Sequence, residues 1–134
     1  MFGGQQVAPC PMCSMWADGW NATVQHLRQR VDLAMVSAAP VDETAELVAQ
    51  RGWSNLRWLS AAENSFKVDI GGESPEGHQM PFISVYETGG NGPRLSYSGG
   101  AHIDGEHWRG LDLLSPIWHF LDLTRAGRGD WMPS

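Results

Sequence analysis

With 134 residues, 42% of them hydrophobic and 18% charged, the chain is long enough for one domain with a real core and short for two. Its formal net charge of −6 provides no basic field to hold phosphate backbones or anionic headgroups, so nucleic acid is excluded as an expected partner. No apolar run approaches the length of a membrane span, and "MFGGQQVAP" has neither the basic start nor the hydrophobic stretch of a signal peptide, so a single cytoplasmic domain over residues 1–134 is expected.

Along the chain, the first periodic segment starts at the only two cysteines, in "APCPMCSMWADGW". From Cys13 to about Arg30 the apolar residues Trp16, Trp20, Val24 and Leu27 recur at the spacing of one helix face. "VDLAMVSA" (31–38) predicts a short strand, and "PVDETAELVAQRG" (40–52) a helix with early acids and a closing glycine. "LRWLSA" (56–61) predicts another strand, and the irregular stretch that follows has one helical turn around Ser65 to Val68. "MPFISVYE" (80–87) and "PRLSYSGG" (93–100) flank "TGGNG", whose glycines and asparagine suit an antiparallel hairpin. "LDLLSPIWHFLDL" predicts a helix broken at Ser115 and Pro116, with the serine capping the last stretch and the proline in its first turn. The tail from Thr124 is expected to be irregular.

Parallel strands joined by crossover helices and finished by a hairpin make an α/β fold, a three-layer sandwich with one mixed sheet. This is the thioredoxin-like layout. In it a central strand should lead into the cysteine helix, yet residues 1–9 offer only Met1, Phe2 and Val7 as sizeable apolar side chains. The first central strand is therefore expected to be missing, leaving an unfilled sheet edge through which a homo-oligomer could form.

Two cysteines at this spacing are not a secreted disulfide framework. Three readings are open: redox chemistry, metal binding, or two ordinary thiols at a helix start. With Cys10 at the N-cap and Pro11 in the first turn, unpaired amides and the positive dipole end favour the Cys10 thiolate. Cys10 would then attack a protein or small-molecule disulfide and Cys13, one turn on, would resolve the mixed disulfide; the reverse direction oxidises a dithiol. No cofactor is needed for either direction. A zinc site would need two further ligands, for which "HIDGEH" offers His102 and His107 with Glu106 nearby. The alternative from another class is a non-catalytic binding module.

Substrate contacts are expected from Pro11 and from the Met80–Pro81 step, which in this layout passes beside the dithiol. A cis Met80–Pro81 bond would expose backbone to a docking substrate, whereas a trans proline would simply open the strand. Trp16 lies on the core stripe, but its closeness to Cys13 also makes it a candidate substrate contact. Asp18 could tune the dithiol or be an acid favoured by the helix dipole. His26 and His119 fit surface or packing positions, and Arg109 and Asp112 a surface ion pair of little worth.

"CPMCSMWADGWN", "RGLDLL" and "FLDLTRAGRGDW" resemble a bacterial thioredoxin-like family of unknown function, whose members are labelled predicted dithiol-disulfide oxidoreductases and carry a C-P-x-C-S-x-W-A-D signature. The resemblance runs from Phe2 to about Trp131. It implies a thioredoxin- or peroxiredoxin-like fold and places the family's dithiol on Cys10 and Cys13, with Ser14, Trp16, Ala17 and Asp18 completing the signature and Arg109 to Asp112 the later motif. Family members usually carry residues before this region, so the chain is expected to be shortened at its amino terminus. Residues 31–61 also resemble the later half of peroxiredoxin-like proteins. A peroxidatic run would need threonine or serine where Val7 stands and proline where Gly3 stands, which disfavours a peroxidase.

Overall fold

The computed structural model describes Gly3, residues 8–100 and residues 115–131. Helix α1 (Pro11–Leu27) starts from Cys10 as N-cap in an extended conformation, with the Ser14 amide donating to the Cys10 carbonyl at 2.9 Å. Pro11 sacrifices nothing there, because first-turn amides have no intrahelical acceptor. The helix ends at Leu27 rather than near Arg30, and the amides of Arg28, Arg30 and Val31 close a final turn on the carbonyls of Val24 and Leu27.

Strand β1 (Ala34–Ser37), helix α2 (Val41–Arg51) and strand β2 (Arg57–Ser60) form a right-sized crossover unit, with β1 and β2 parallel from Ala34↔Arg57 to Ser37↔Ser60. Gly52 closes α2 at φ 69°, a left-handed conformation that glycine adopts without the steric cost of a Cβ. The single turn α3 (Phe66–Asp69) follows. Strands β3 (Phe82–Gly89) and β4 (Gly92–Gly100) then pair antiparallel around Gly90 and Asn91. A bulge between Val85 and Tyr86 leaves Ser96 without an opposite residue, and its hydroxyl donates to the Val85 carbonyl at 3.2 Å. Helix α4 (Ile117–Asp122) has Pro116 as its N-cap, one residue later than expected, while Ser115 Oγ still accepts from the Ile117 amide at 3.3 Å.

The architecture is mixed α/β. In place of one mixed sheet, the described residues form two separate two-stranded sheets, β1–β2 parallel and β3–β4 antiparallel. Of the residues expected to lack a central strand, only Gly3, Ala8 and Pro9 are described. Gly3 makes a parallel bridge to Ala38, just past the end of β1. The approach is so close that a Cβ on Gly3 would lie 2.1 Å from the Ala39 amide nitrogen. Ser37, Thr44 and Ser60 satisfy that crossing: Ser37 Oγ accepts from the Ala39 amide, and Thr44 and Ser60 donate to the Ala39 carbonyl.

Helix α1 is covered on two sides. Ala17 and Val24 pack with Leu47, Trp53 and Leu56 against the crossover unit, while Met12, Cys13 and Trp16 pack with Trp118 of α4. Trp20 touches both clusters. The hairpin differs, since Val85, Tyr86, Leu95 and Tyr97 are all exposed along it. Among the described residues no helix is long and apolar enough to cross a membrane.

Candidate functional site

Topology fixes where the dithiol lies. Because α1 ends before β1 begins and Gly3 bridges the end of β1 in parallel, the start of α1 lies at the carboxyl end of the parallel pair. The chain leaves β2 at that same end and enters α3. Open parallel sheets gather their ligands at this edge, where loops and helix starts converge.

Cys10 is half-buried, Cys13 is 5% exposed, and both thiols are free. Cys13 donates a hydrogen bond to Cys10, and this bond, joined by the amides of Cys13 and Met12, outweighs burial and holds the Cys10 thiol down to about 5 from an ordinary 9.0. Cys13 moves the other way: the same bond to the Cys10 anion, followed by burial, raises its pKa. One sulfur is therefore an anion at neutral pH and the other keeps its proton. This split suits a nucleophile and a resolving thiol.

Pro11 is exposed beside Cys10 and helps line a shallow cavity of about 280 Å³ that reaches Asp18, Arg51 and Trp131. Trp16 is only 4% exposed, in the cluster beneath the dithiol, so it offers no surface to a substrate. Met80 is exposed and Pro81 half-buried. The cis alternative for Met80–Pro81 is corrected: no cis peptide bond occurs among the described residues, and Pro81 stands just before β3, where its missing amide hydrogen breaks no ladder bond.

Asp18 stands beyond the first turn of α1, which holds no acid, so it is not a helix-start acid. Its carboxylate accepts a 2.6 Å hydrogen bond from the Trp53 indole and so ties α1 to the turn after α2. Asp18→Ala should lower unfolding stability by about 1.5–3 kcal/mol, the range for a hydrogen bond to a charged group, measured by urea denaturation. An unchanged midpoint would show that this bond carries nothing. His26 and His119 are exposed, whereas His102, Glu106, His107, Arg109 and Asp112 lie outside the described residues. Among the described residues no group of three His, Cys, Asp or Glu side chains could hold a metal ion.

Two features near the site carry weak or no sequence signals. In the last motif, Arg128 reaches Asp122 with two hydrogen bonds, Nε to Oδ1 at 2.9 Å and a terminal nitrogen to Oδ2 at 2.5 Å, while its guanidinium lies over the Trp118 ring. Trp131 packs edge-on against Trp118 at 5.6 Å, so this motif seals the cluster that carries Cys13. The second feature is Lys67 of α3, which is 6% exposed and donates through Nζ to Gln79 Oε1. The available signal was that Lys67 is the only lysine in a sequence otherwise served by arginine.

The family model "Bacterial protein of unknown function (DUF899)" matches residues 1–133. The chain belongs to this family. The DUF899 match covers nearly the whole chain and includes both cysteines, but its description attaches no activity to them. No curated protein and no solved structure matches the chain.

Proposed function

We propose that this DUF899 protein is a thiol-disulfide oxidoreductase built as one thioredoxin-like domain, with Cys10 as nucleophile and Cys13 as resolving thiol. The observation that carries this reading is the pairing of a half-buried Cys10 thiolate at a helix start with a buried, protonated Cys13 that donates to it. The Cys10 thiolate attacks one sulfur of a substrate disulfide, forming the Cys10–substrate bond and expelling the other substrate sulfur as a thiolate. Cys13 then attacks Cys10 Sγ, closing the Cys10–Cys13 disulfide and releasing the second substrate thiol. The substrate is thereby reduced by two electrons and the dithiol oxidised; the reverse sequence oxidises a substrate dithiol.

Pro11, Met80 and Pro81 are the accessible residues we assign to substrate contact, and Trp16 supports them from the core. The substrate class is a protein or small-molecule disulfide or dithiol, without a cofactor. A reducing cytoplasm is the compartment where such a dithiol cycles and a structural disulfide does not persist. A second reading, a binding module acting alone or as a homo-oligomer through an open sheet edge, draws on the exposed apolar side chains of the hairpin.

Equilibration with a glutathione redox series, followed by alkylation and mass counting of free thiols, separates the two. We expect both thiols to disappear together in a single two-electron transition. Because only Cys13 keeps its proton between about pH 5 and 9.0, the midpoint should fall by about 30 mV per pH unit in that window, half the slope of a doubly protonated dithiol. Thiols that stay free at every glutathione ratio would sink the enzyme reading and leave the binding module.

A further inference from the structure

The cavity that starts at Pro11 lies against the reacting end of α1, so its lining bears on what Cys10 meets. Its helical wall is Pro11, Ser14, Met15 and Asp18, at the spacing of one helix face. Cys10 heads this wall. Pro11 follows it directly, the Ser14 amide donates to its carbonyl at 2.9 Å, and Met15 packs with it against the same buried cluster. Arg51, the last residue of α2, reaches the same cavity.

Asp18 and Arg51 give the cavity one negative and one positive group, and a single core side chain holds both. The Trp53 indole N–H donates to Asp18 Oδ1 at 2.6 Å, and the Arg51 guanidinium lies 5.5 Å from the centroid of the Trp53 ring. Trp53 is 2% exposed, so the core fixes this platform. Among the described residues the two charges form no ion pair with each other, and neither Asp18 Oδ2 nor the Arg51 guanidinium has a hydrogen-bond partner. A ligand that carries both signs satisfies both groups, with an α-ammonium on Asp18 and an α-carboxylate on Arg51.

Reach fixes the size of that ligand. From Cys10 to Asp18 the chain climbs eight residues, about 12 Å of helix. A single amino acid disulfide such as cystine keeps its charges within about 3.5 Å of its sulfur, one residue length, and falls short. A cysteinyl residue extended by one γ-linked residue adds roughly 7 Å, about two residue lengths, and the bond to Cys10 and the Asp18 side chain span the rest.

We infer that this cavity is the substrate subsite of the dithiol and that it takes the zwitterionic head of a small peptide disulfide whose sulfur lies on Cys10. This rests on the oxidoreductase reading and narrows its substrate from any disulfide to a small-molecule one with an amino-acid head. Glutathione disulfide has that chemistry and serves as the probe.

The fully reduced protein is mixed in low-salt buffer with glutathione disulfide or with neutral 2-hydroxyethyl disulfide, and loss of its thiols is followed by alkylation and mass counting. The ratio of the first rate to the second should fall at least fivefold in Arg51→Gln and in Asp18→Asn, whose amide oxygen still accepts from Trp53. An unchanged ratio in either variant would overturn the zwitterion subsite, while continued reaction with the neutral disulfide keeps the oxidoreductase reading. Thiols of the unaltered protein that react with neither disulfide would overturn both.

A second comparison needs no substitution. Deaminated glutathione disulfide, in which a glutaryl arm keeps the carboxylate but lacks the ammonium, should oxidise the unaltered protein at least fivefold more slowly than glutathione disulfide. Equal rates would overturn the proposal even if both variants failed to fold.

Discussion

Serine at position 10 should lower the rate of disulfide reduction at least about a thousandfold, because a hydroxyl does not ionise near neutral pH and cannot replace the thiolate nucleophile. Cys13→Ser should still attack through Cys10 but stall as a mixed disulfide, visible as a mass adduct that added thiol removes. The pH dependence gives the decisive sign. Alkylation of Cys10 by a neutral haloacetamide should rise through a midpoint near 5 and level off by pH 7, instead of climbing toward 9.0. Since the bond from Cys13 is the largest cause of that lowering, Cys13→Ala should move the midpoint up further than Cys13→Ser, which keeps a donor.

Linkage fixes a matching stability trend. The folded pKa of Cys10 lies below its ordinary value of 9.0, so its contribution to the reduced protein is complete above 9.0, declines as pH falls, and is gone below about 5. Cys13, raised in the folded state, acts with the opposite sign only above its ordinary 9.0. Comparing the reduced protein with Cys10→Ala between pH 5 and 8 should therefore show a gap that widens with pH. A constant gap would show that the thiolate gains nothing from the fold.

Trp53→Ala should be the most damaging core substitution, costing about 3–5 kcal/mol against the roughly 5–15 kcal/mol by which such domains are stable. The side chain is 2% exposed and packs with Ala17, Val24, Leu47 and Leu56. It stacks on Trp58 at 5.1 Å with an interplanar angle of 16°, and the Arg51 guanidinium lies 5.5 Å from its ring centroid. Its removal opens a cavity and also takes away the indole N–H that donates to the exposed Asp18 carboxylate. Trp53→Phe keeps most of the packing but loses the N–H donor, so it should fall between the wild type and alanine. Urea unfolding followed by far-UV circular dichroism checks both, and a loss below about 1 kcal/mol for alanine would show that this cluster does not hold α1 to the crossover unit.

What could be read from the sequence was local. Cys10 before Pro11 and the closing Gly52 marked helix ends because caps depend on a few neighbouring residues. The paired apolar runs around Gly90 and Asn91 marked the hairpin for the same reason. Most of what was missed depends on partners distant in the chain. The Asp18–Trp53 bond joins residues far apart in sequence, so a helix-start acid and a structural acceptor look alike until α2 folds back. Trp16 illustrates a different limit: its spacing placed it on a helix face, but only the arrival of Trp118 made that face interior. Lys67 was invisible as a buried charge because one helical turn carries no pattern from which burial could be inferred.

That burial also determines how the molecule meets chemical reagents. With its sole lysine withdrawn from solvent, the folded chain presents no side-chain primary amine to succinimidyl esters, and its arginines do not react with them. Acylation at Lys67 must wait for the surrounding segment to swing open, so its rate counts those excursions. A peptide map of slow labelling would then time the breathing of α3 and the segment that runs on to Gln79.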